Sequence, residues 1–198
     1  MAKTTAKLLG FALAGAGAYG LWTAGQTMLG DDEATGTEHV ANQVWIEKMP
    51  QSQRDMFGHL VLLDMSEGRF GGVGKSSQWR HMHEFFQWGL SGDRLSVYFP
   101  QDRQKGKVKV RSWRCEGEAP EPFELCLELS NGRQSTTMYS RDEWHIDPDD
   151  ASDSLASLIA QHPELRGVVS QVQVSAPIDE DERDDYTEVE NIGARFGQ

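Results

Sequence analysis

Apolar and polar residues alternate with a period of two, in segment after segment, between Arg80 and Tyr139. Successive side chains of a β-strand point to opposite faces, so this alternation is typical of strands with one buried side. Turn-forming triplets, Ser91-Gly92-Asp93 and Asn131-Gly132-Arg133, separate the segments. Short connections of this kind favour pairing between consecutive strands. The sequence therefore predicts a mainly β fold, an antiparallel meander that forms a small β-barrel.

The strands and the helix of this domain can be placed from the same pattern. Strands are predicted at 44–48, 59–64, after a turn within 67–77, at 78–89, at Arg94–Phe99, in both arms of a hairpin around 115–126, at 134–140 and, as a closing strand, at 168–174. One C-terminal helix is predicted at Ala151–Gln161, because Leu155, Leu158 and Ile159 recur at helical spacing. Acidic residues stand at its start, where the helix dipole favours negative charge. The barrel domain is thus assigned to residues 43–176.

The N-terminal segment has the charge pattern of an export signal. Lys3 and Lys7 precede a stretch without charged residues, 8–30, and three acidic residues follow at 31–33. We expect residues 1–30 to form a hydrophobic helix that acts as a signal anchor in the membrane or as a cleaved signal peptide; a soluble or peripheral helix is the remaining alternative. Residues 31–42 are predicted to be a flexible linker. The expected location is a membrane-anchored, extracytoplasmic domain, in the periplasm if the source is bacterial.

The negative charge of the chain lies mainly at its C-terminal end. The net charge is -12, and from Asp147 onwards there are 13 acidic and 3 basic residues, a balance of -10. Residues 177–198 are predicted to be an acidic, disordered tail. The barrel itself is close to neutral and has no net positive field for phosphates, so a nucleic acid is not expected as a partner.

Cys115 and Cys126 flank a loop that contains Gly117, Pro120 and Pro122, which suits the turn of a hairpin. By strand parity both cysteines fall on the polar face of that hairpin, so a disulfide between them is sterically reasonable. A disulfide would fit an oxidising compartment, and two unlinked thiols are the alternative. The chain has no C-x-x-C motif, and the spacing of its cysteines differs from that of structural zinc sites.

His81 and His83 are the sharpest candidates for metal chemistry. Residues i and i+2 of a strand project to one side, so two imidazoles could share a metal there. Phe86 and Trp88, however, share the opposite face with Met82, which places the histidines towards solvent. No metal site and no cofactor are therefore assigned. The chain also lacks a G-x-S-x-G motif, and no catalytic residue is predicted.

Aromatic residues are frequent in the strand region, where they can fill a barrel or line an apolar cavity. Phe86, Trp88 and Phe99 are the predicted ligand-binding residues. The order of elements over 44–174, a strand meander followed by a helix, resembles that of lipocalins and other calycin-type barrels. The G-x-W motif of lipocalins is missing before Trp45 and before Trp79. The resemblance implies a barrel that binds a small apolar molecule and carries no catalytic residues.

Three functions follow as hypotheses. The first is a membrane-anchored, non-catalytic β-barrel that binds a small hydrophobic ligand. The second is a protein-interaction or structural module of an envelope assembly that uses the barrel face or the acidic tail. The third is a metal-dependent enzyme that uses His81 and His83.

Overall fold

Eight antiparallel strands follow one another in the computed structural model, which describes residues 36–117 and 119–168 together with the backbone of 187–188. The strands are β1 (Gln43–Ile46), β2 (Phe57–Met65), β3 (Gly68–Ser76), β4 (His81–Ser91), β5 (Arg94–Phe99), β6 (Gln104–Arg114), β7 (Leu125–Ser130) and β8 (Ser135–Ser140). Each strand pairs with the next, and Ile46 of β1 pairs with Tyr139 of β8. This last pairing closes the sheet, so the predicted fold class, an antiparallel meander barrel, is confirmed.

The two predicted turns have the backbone geometry that glycine allows. Gly92 and Gly132 adopt φ angles of 58° and 87°, in the left-handed region that L residues with a side chain rarely adopt. In the second turn the side chain of Asn131 accepts hydrogen bonds from the backbone N–H groups of Arg133 and Gln134. Such hydrogen bonds from a side chain to the nearby backbone stabilise the turn locally.

The barrel interior is filled by one apolar set drawn from every strand. In β6, the buried Val108 and Val110 alternate with the exposed Lys107 and Lys109, as the sequence pattern predicts. The interior cluster consists of Val40, Trp45, Leu60, Leu62, Val73, Phe86, Trp88, Leu95, Val97, Phe99, Val108, Val110, Leu125, Leu127, Leu129 and Met138. Burial of each large apolar side chain stabilises the fold by roughly 1.5–3 kcal/mol relative to exposure.

A second apolar layer lies on the outer surface of β1 and β2. The helix α1 (Ala151–Gln161) begins and ends where the sequence predicts, and short 3-10 turns flank it at Asp142–Trp144, Pro148–Asp150 and Pro163–Leu165. This layer consists of Val44, Ile46, Phe57, Val61, Leu63, Phe123, Trp144, Ile146, Leu155, Leu158, Leu165 and Val168. Both faces of β1 and β2 are therefore buried.

The described part of the predicted linker, 36–42, contacts the ends of β2 and β6. Gly36 and Ser112 exchange two backbone hydrogen bonds, of 3.0 and 2.6 Å. Val40 is fully buried, and its carbonyl accepts a hydrogen bond from the indole of Trp45. This segment extends the interior cluster beyond the first strand.

Cys115 and Cys126 form a disulfide, with their Cα atoms 5.5 Å apart, so this prediction is confirmed. The expected anchor helix at 1–30 and the closing strand beyond Val168 lie outside the described residues. So does the predicted acidic tail, apart from β9 (Thr187–Glu188), which pairs in parallel with Gln104 and Lys105 of β6. Within the residues that are described, no helix has the length and apolar character to cross a membrane.

Candidate ligand site

A groove of about 380 Å³ crosses β3, β4 and β5. Strand register brings its lining together: Gln87 pairs with Phe70 on one side and Tyr98 on the other, and Gly89 pairs with Ser96. The groove is lined by Glu67, Gly68, Arg69, Phe70, Gln87, Trp88, Gly89, Ser96, Val97, Tyr98 and Lys105. The lining combines aromatic residues with the polar Gln87 and Ser96. Its charged residues are Glu67 at the β2–β3 turn, Arg69 in β3 and Lys105 in β6.

Gly89 creates part of this space. A methyl group placed on its Cα would meet no atom within 4 Å, although Gly89 pairs with Ser96 of β5. Its backbone does not require glycine, since its φ is outside the left-handed region. A glycine inside a strand often marks a place where another molecule approaches the backbone closely. The missing side chain therefore opens the groove without serving the fold.

Trp88 is held rigidly beside the groove. Its indole N–H donates to the carbonyl oxygens of Phe70, at 3.0 Å, and Leu63, at 3.2 Å. The guanidinium of Arg69 lies over the indole ring, 5.2 Å from its centre, and is bound to the carboxylate of Asp64. A fixed aromatic wall loses little conformational freedom when a ligand binds, and this favours affinity.

The three residues predicted to bind a ligand all belong to the interior cluster. Phe86 and Phe99 pack against each other in the interior, with ring centres 5.3 Å apart, and are 2% and 0% exposed. Trp88 is 7% exposed and also borders the groove. Gly89 and Tyr98 were missed, although a glycine inside the strongly alternating β4 segment was a usable signal.

A histidine cluster lies on the outer face of β2 and β4. Nδ1 of His83 is 3.2 Å from Nε2 of His59, and the rings of His81 and His83 stack with centres 5.8 Å apart. Gly74 separates the two strands here, and a Cβ on it would lie 3.1 Å from the His59 ring. Gly167 lies close to the His81 ring, because a Cβ placed on it would be 3.3 Å from Cε1 of that ring.

Burial disfavours protonation of His59 and His83. Loss of hydration lowers the pKa of the fully buried His59 from 6.5 to about 3, and repulsion from His83 and His81 adds to the shift. The pKa of His83 is lowered by burial and by His81. Within the described part of the chain, no group of three or more His, Cys, Asp or Glu residues is placed to hold a metal ion. His59 and His83 therefore form a packed pair in which the protonated form is disfavoured.

Comparison of the chain with models of protein families, with curated proteins and with solved structures finds no match. The chain forms a closed, eight-stranded antiparallel β-barrel with one outer helix. That architecture is consistent with a lipocalin-like fold.

Proposed function

We propose that this protein is a non-catalytic binding protein and that it holds a small, largely apolar ligand in the groove across β3, β4 and β5. The observation that carries the proposal is the open space over Gly89 between aromatic residues. A volume of about 380 Å³ lies within the range of small-molecule pockets, which are mostly apolar with a few polar groups. The hydrophobic ligand expected from the sequence is thus assigned to the outer groove.

The chemistry of the lining narrows the ligand class. Tyr98 offers a partly exposed ring, and Phe70 and Trp88, which are 5% and 7% exposed, border the groove. Such a lining suits a flat or aliphatic body. Lys105 lies on the β6 side and can meet an anionic or polar group. An amphipathic molecule, with an apolar body and one polar end, fits this distribution better than a sugar or a nucleotide.

The test is a titration with 8-anilinonaphthalene-1-sulfonate, an aromatic ring system that carries one sulfonate and fluoresces when it leaves water. Gly89→Leu places a side chain in the groove and should weaken binding at least tenfold. Thr137→Leu adds the same side chain at an exposed position of β8 and should leave binding unchanged. Equal affinity in the wild type and Gly89→Leu, with both folded, would refute the assignment of the groove.

We also propose that the domain works outside the cytoplasm, attached to a membrane by residues 1–30. The uncharged stretch at 8–30 between basic and acidic residues supports this location. The Cys115–Cys126 disulfide supports it independently, because such bonds persist mainly in oxidising compartments.

A further inference from the structure

A second pocket, of about 240 Å³, lies at the end of the barrel where β1 leads into β2 and β3 leads into β4. The β1–β2 loop, the β3–β4 turn and the 3-10 turn at Pro163–Leu165 meet there. The pocket shares no residue with the groove across β3, β4 and β5. It is lined by Pro50, Gln51, Ser52, Gln53, Asp55, Phe57, Gln78, Pro163, Glu164 and Arg166.

Hydrogen bonds hold the walls of this pocket in place. The backbone N–H of Gln78, in the β3–β4 turn, donates to the carbonyl of Gln53 in the β1–β2 loop, at 3.0 Å. Within that loop the N–H of Gln51 donates to the carboxylate of Asp55, at 2.8 Å. Phe57 is 1% exposed and is fixed in the second apolar layer. Walls that are already ordered lower the entropic cost of binding a ligand.

The chemistry of the lining narrows the ligand class. Seven of the ten lining residues are polar, with two carboxylates, on Asp55 and Glu164, and one guanidinium, on Arg166. An apolar ligand would remove water from these groups without replacing its hydrogen bonds. An anion would meet two negative charges, and a cation would meet the guanidinium. A neutral ligand with several hydroxyl groups suits both kinds of group, because each hydroxyl donates to a carboxylate and accepts from a guanidinium or an amide.

The carboxamide of Gln78 is the group that the fold leaves unused. Its Oε1 is buried and has no hydrogen-bond partner among the described residues. Half a turn of the terminal amide exchanges oxygen and nitrogen, and no hydrogen bond of this oxygen opposes the rotation. Gln78 therefore offers the pocket either an acceptor or a donor. A buried polar atom without a partner is costly to the fold, which favours a role for it in binding.

Trp79 directly follows Gln78 and is 73% exposed, whereas Trp45, Trp88 and Trp144 are at most 7% exposed. An indole without packing partners is available to the apolar face of a ligand. A sugar ring combines such a face, made of C–H groups, with hydroxyl groups along its edge. The exposed indole and the polar pocket are thus complementary to the two parts of one sugar ring.

We propose that this pocket binds the ring of a neutral saccharide. The sugar hydroxyls bind the carboxylates of Asp55 and Glu164 and the amide of Gln78, and the apolar face of the ring packs on Trp79. A volume of about 240 Å³ is smaller than the pockets of drug-sized ligands, which begin at about 300 Å³, and suits one ring. The protein then has two separate sites, an apolar groove and a saccharide pocket.

The test is NMR spectroscopy of the isotope-labelled full chain, in a buffer free of sugars and of sugar-based detergents. The probes are D-glucose, D-galactose, D-mannose and N-acetyl-D-glucosamine. At least one of them should shift the side-chain amide of Gln78 and the indole N–H of Trp79 saturably, with a Kd of about 10 mM or lower. D-Sorbitol, which carries hydroxyl groups but has no ring, should give no saturable shift.

Matched variants locate the site. Gln78→Met keeps the length of the side chain and removes its amide, so the Kd should rise about tenfold, the scale of one lost hydrogen bond. Its urea midpoint should stay the same or rise, because the buried oxygen has no partner to lose. Trp79→Ala should raise the Kd by about the same factor. Gln134→Met and Met82→Ala make comparable changes at exposed positions outside the pocket and should keep the wild-type Kd.

The two sites should respond independently. Gly89→Leu should bind the sugar as the wild type does, and Gln78→Met should keep its affinity for 8-anilinonaphthalene-1-sulfonate. Saturable shifts with none of the four sugars, or an unchanged Kd in Gln78→Met or in Trp79→Ala, would overturn the proposal. Saturation by ethanolamine and by none of the sugars would assign the pocket to a cation and would also refute it. If Gln78→Met does not fold, Arg166→Met, at an exposed lining position, takes its place with the same outcomes.

Discussion

Acidification should destabilise this protein through His59. The imidazole is fully buried, and its pKa falls from 6.5 in the unfolded chain to about 3 in the fold. The unfolded state therefore binds a proton at pH values where the folded state does not. Stability from this group is complete above pH 6.5 and is lost as the pH falls from 6.5 towards 3.

The expected loss of stability on acidification follows from the pKa shift of His59. Each pH unit within this window is worth about 1.4 kcal/mol, so the free energy of unfolding should drop by about 2 kcal/mol between pH 6.5 and pH 5 on account of His59. Other titratable groups contribute to the pH dependence of the whole protein. Their part is removed by comparison with a variant that lacks only this imidazole.

The assay is urea unfolding of the wild type, His59→Gln and His145→Gln at pH 8 and pH 5. His59→Gln should lower the free energy of unfolding at pH 8, because a packed ring is lost. Between pH 8 and pH 5, however, its free energy of unfolding should decrease by about 2 kcal/mol less than that of the wild type. His145 is exposed, so His145→Gln should keep the full drop of the wild type. An equal drop in His59→Gln and the wild type would refute the reasoning.

Two further predictions concern stability. Replacing both Cys115 and Cys126 by Ser should lower the free energy of unfolding in urea by about 3 kcal/mol, because the disulfide closes a short loop in the unfolded chain; a change below about 1 kcal/mol would contradict this. Gly74→Ala should lower the free energy of unfolding by about 2 kcal/mol or more, since its Cβ would lie 2.0 Å from the carbonyl oxygen of Met82. Gly89→Ala, whose Cβ meets no atom within 4 Å, should lower it much less. Equal urea midpoints for the two variants would refute the packing argument.

Sequence periodicity predicted the strands best where only one face is buried. The bounds of Arg94–Phe99 agree because Leu95, Val97 and Phe99 point inward and the intervening residues do not. In β2 the alternation disappears, since Leu60 and Leu62 fill the barrel while Val61 and Leu63 lie under the second apolar layer. That strand could be predicted only as a buried run, and its outer partner could not be inferred from periodicity.

The groove and the histidine cluster depend on register, which a single strand does not reveal. Gly89 and Tyr98 come together with Phe70 only because β4 lies between β3 and β5. His59 and His83 are 24 positions apart in sequence and touch across Gly74 of the strand between them. His59 lies in an apolar run, and its neighbours in the sequence do not indicate a contact with His81 and His83.

The outer surface of the barrel explains where a ligand can bind. The second apolar layer covers β1 and β2, so their outer residues are already buried. The first half of β6 meets β9 on its other edge. The outer faces of β3, β4 and β5 lie between these two covered regions, and there a glycine leaves an open space beside a rigid indole. Lys105 borders this open space on the β6 side and also stands opposite β9.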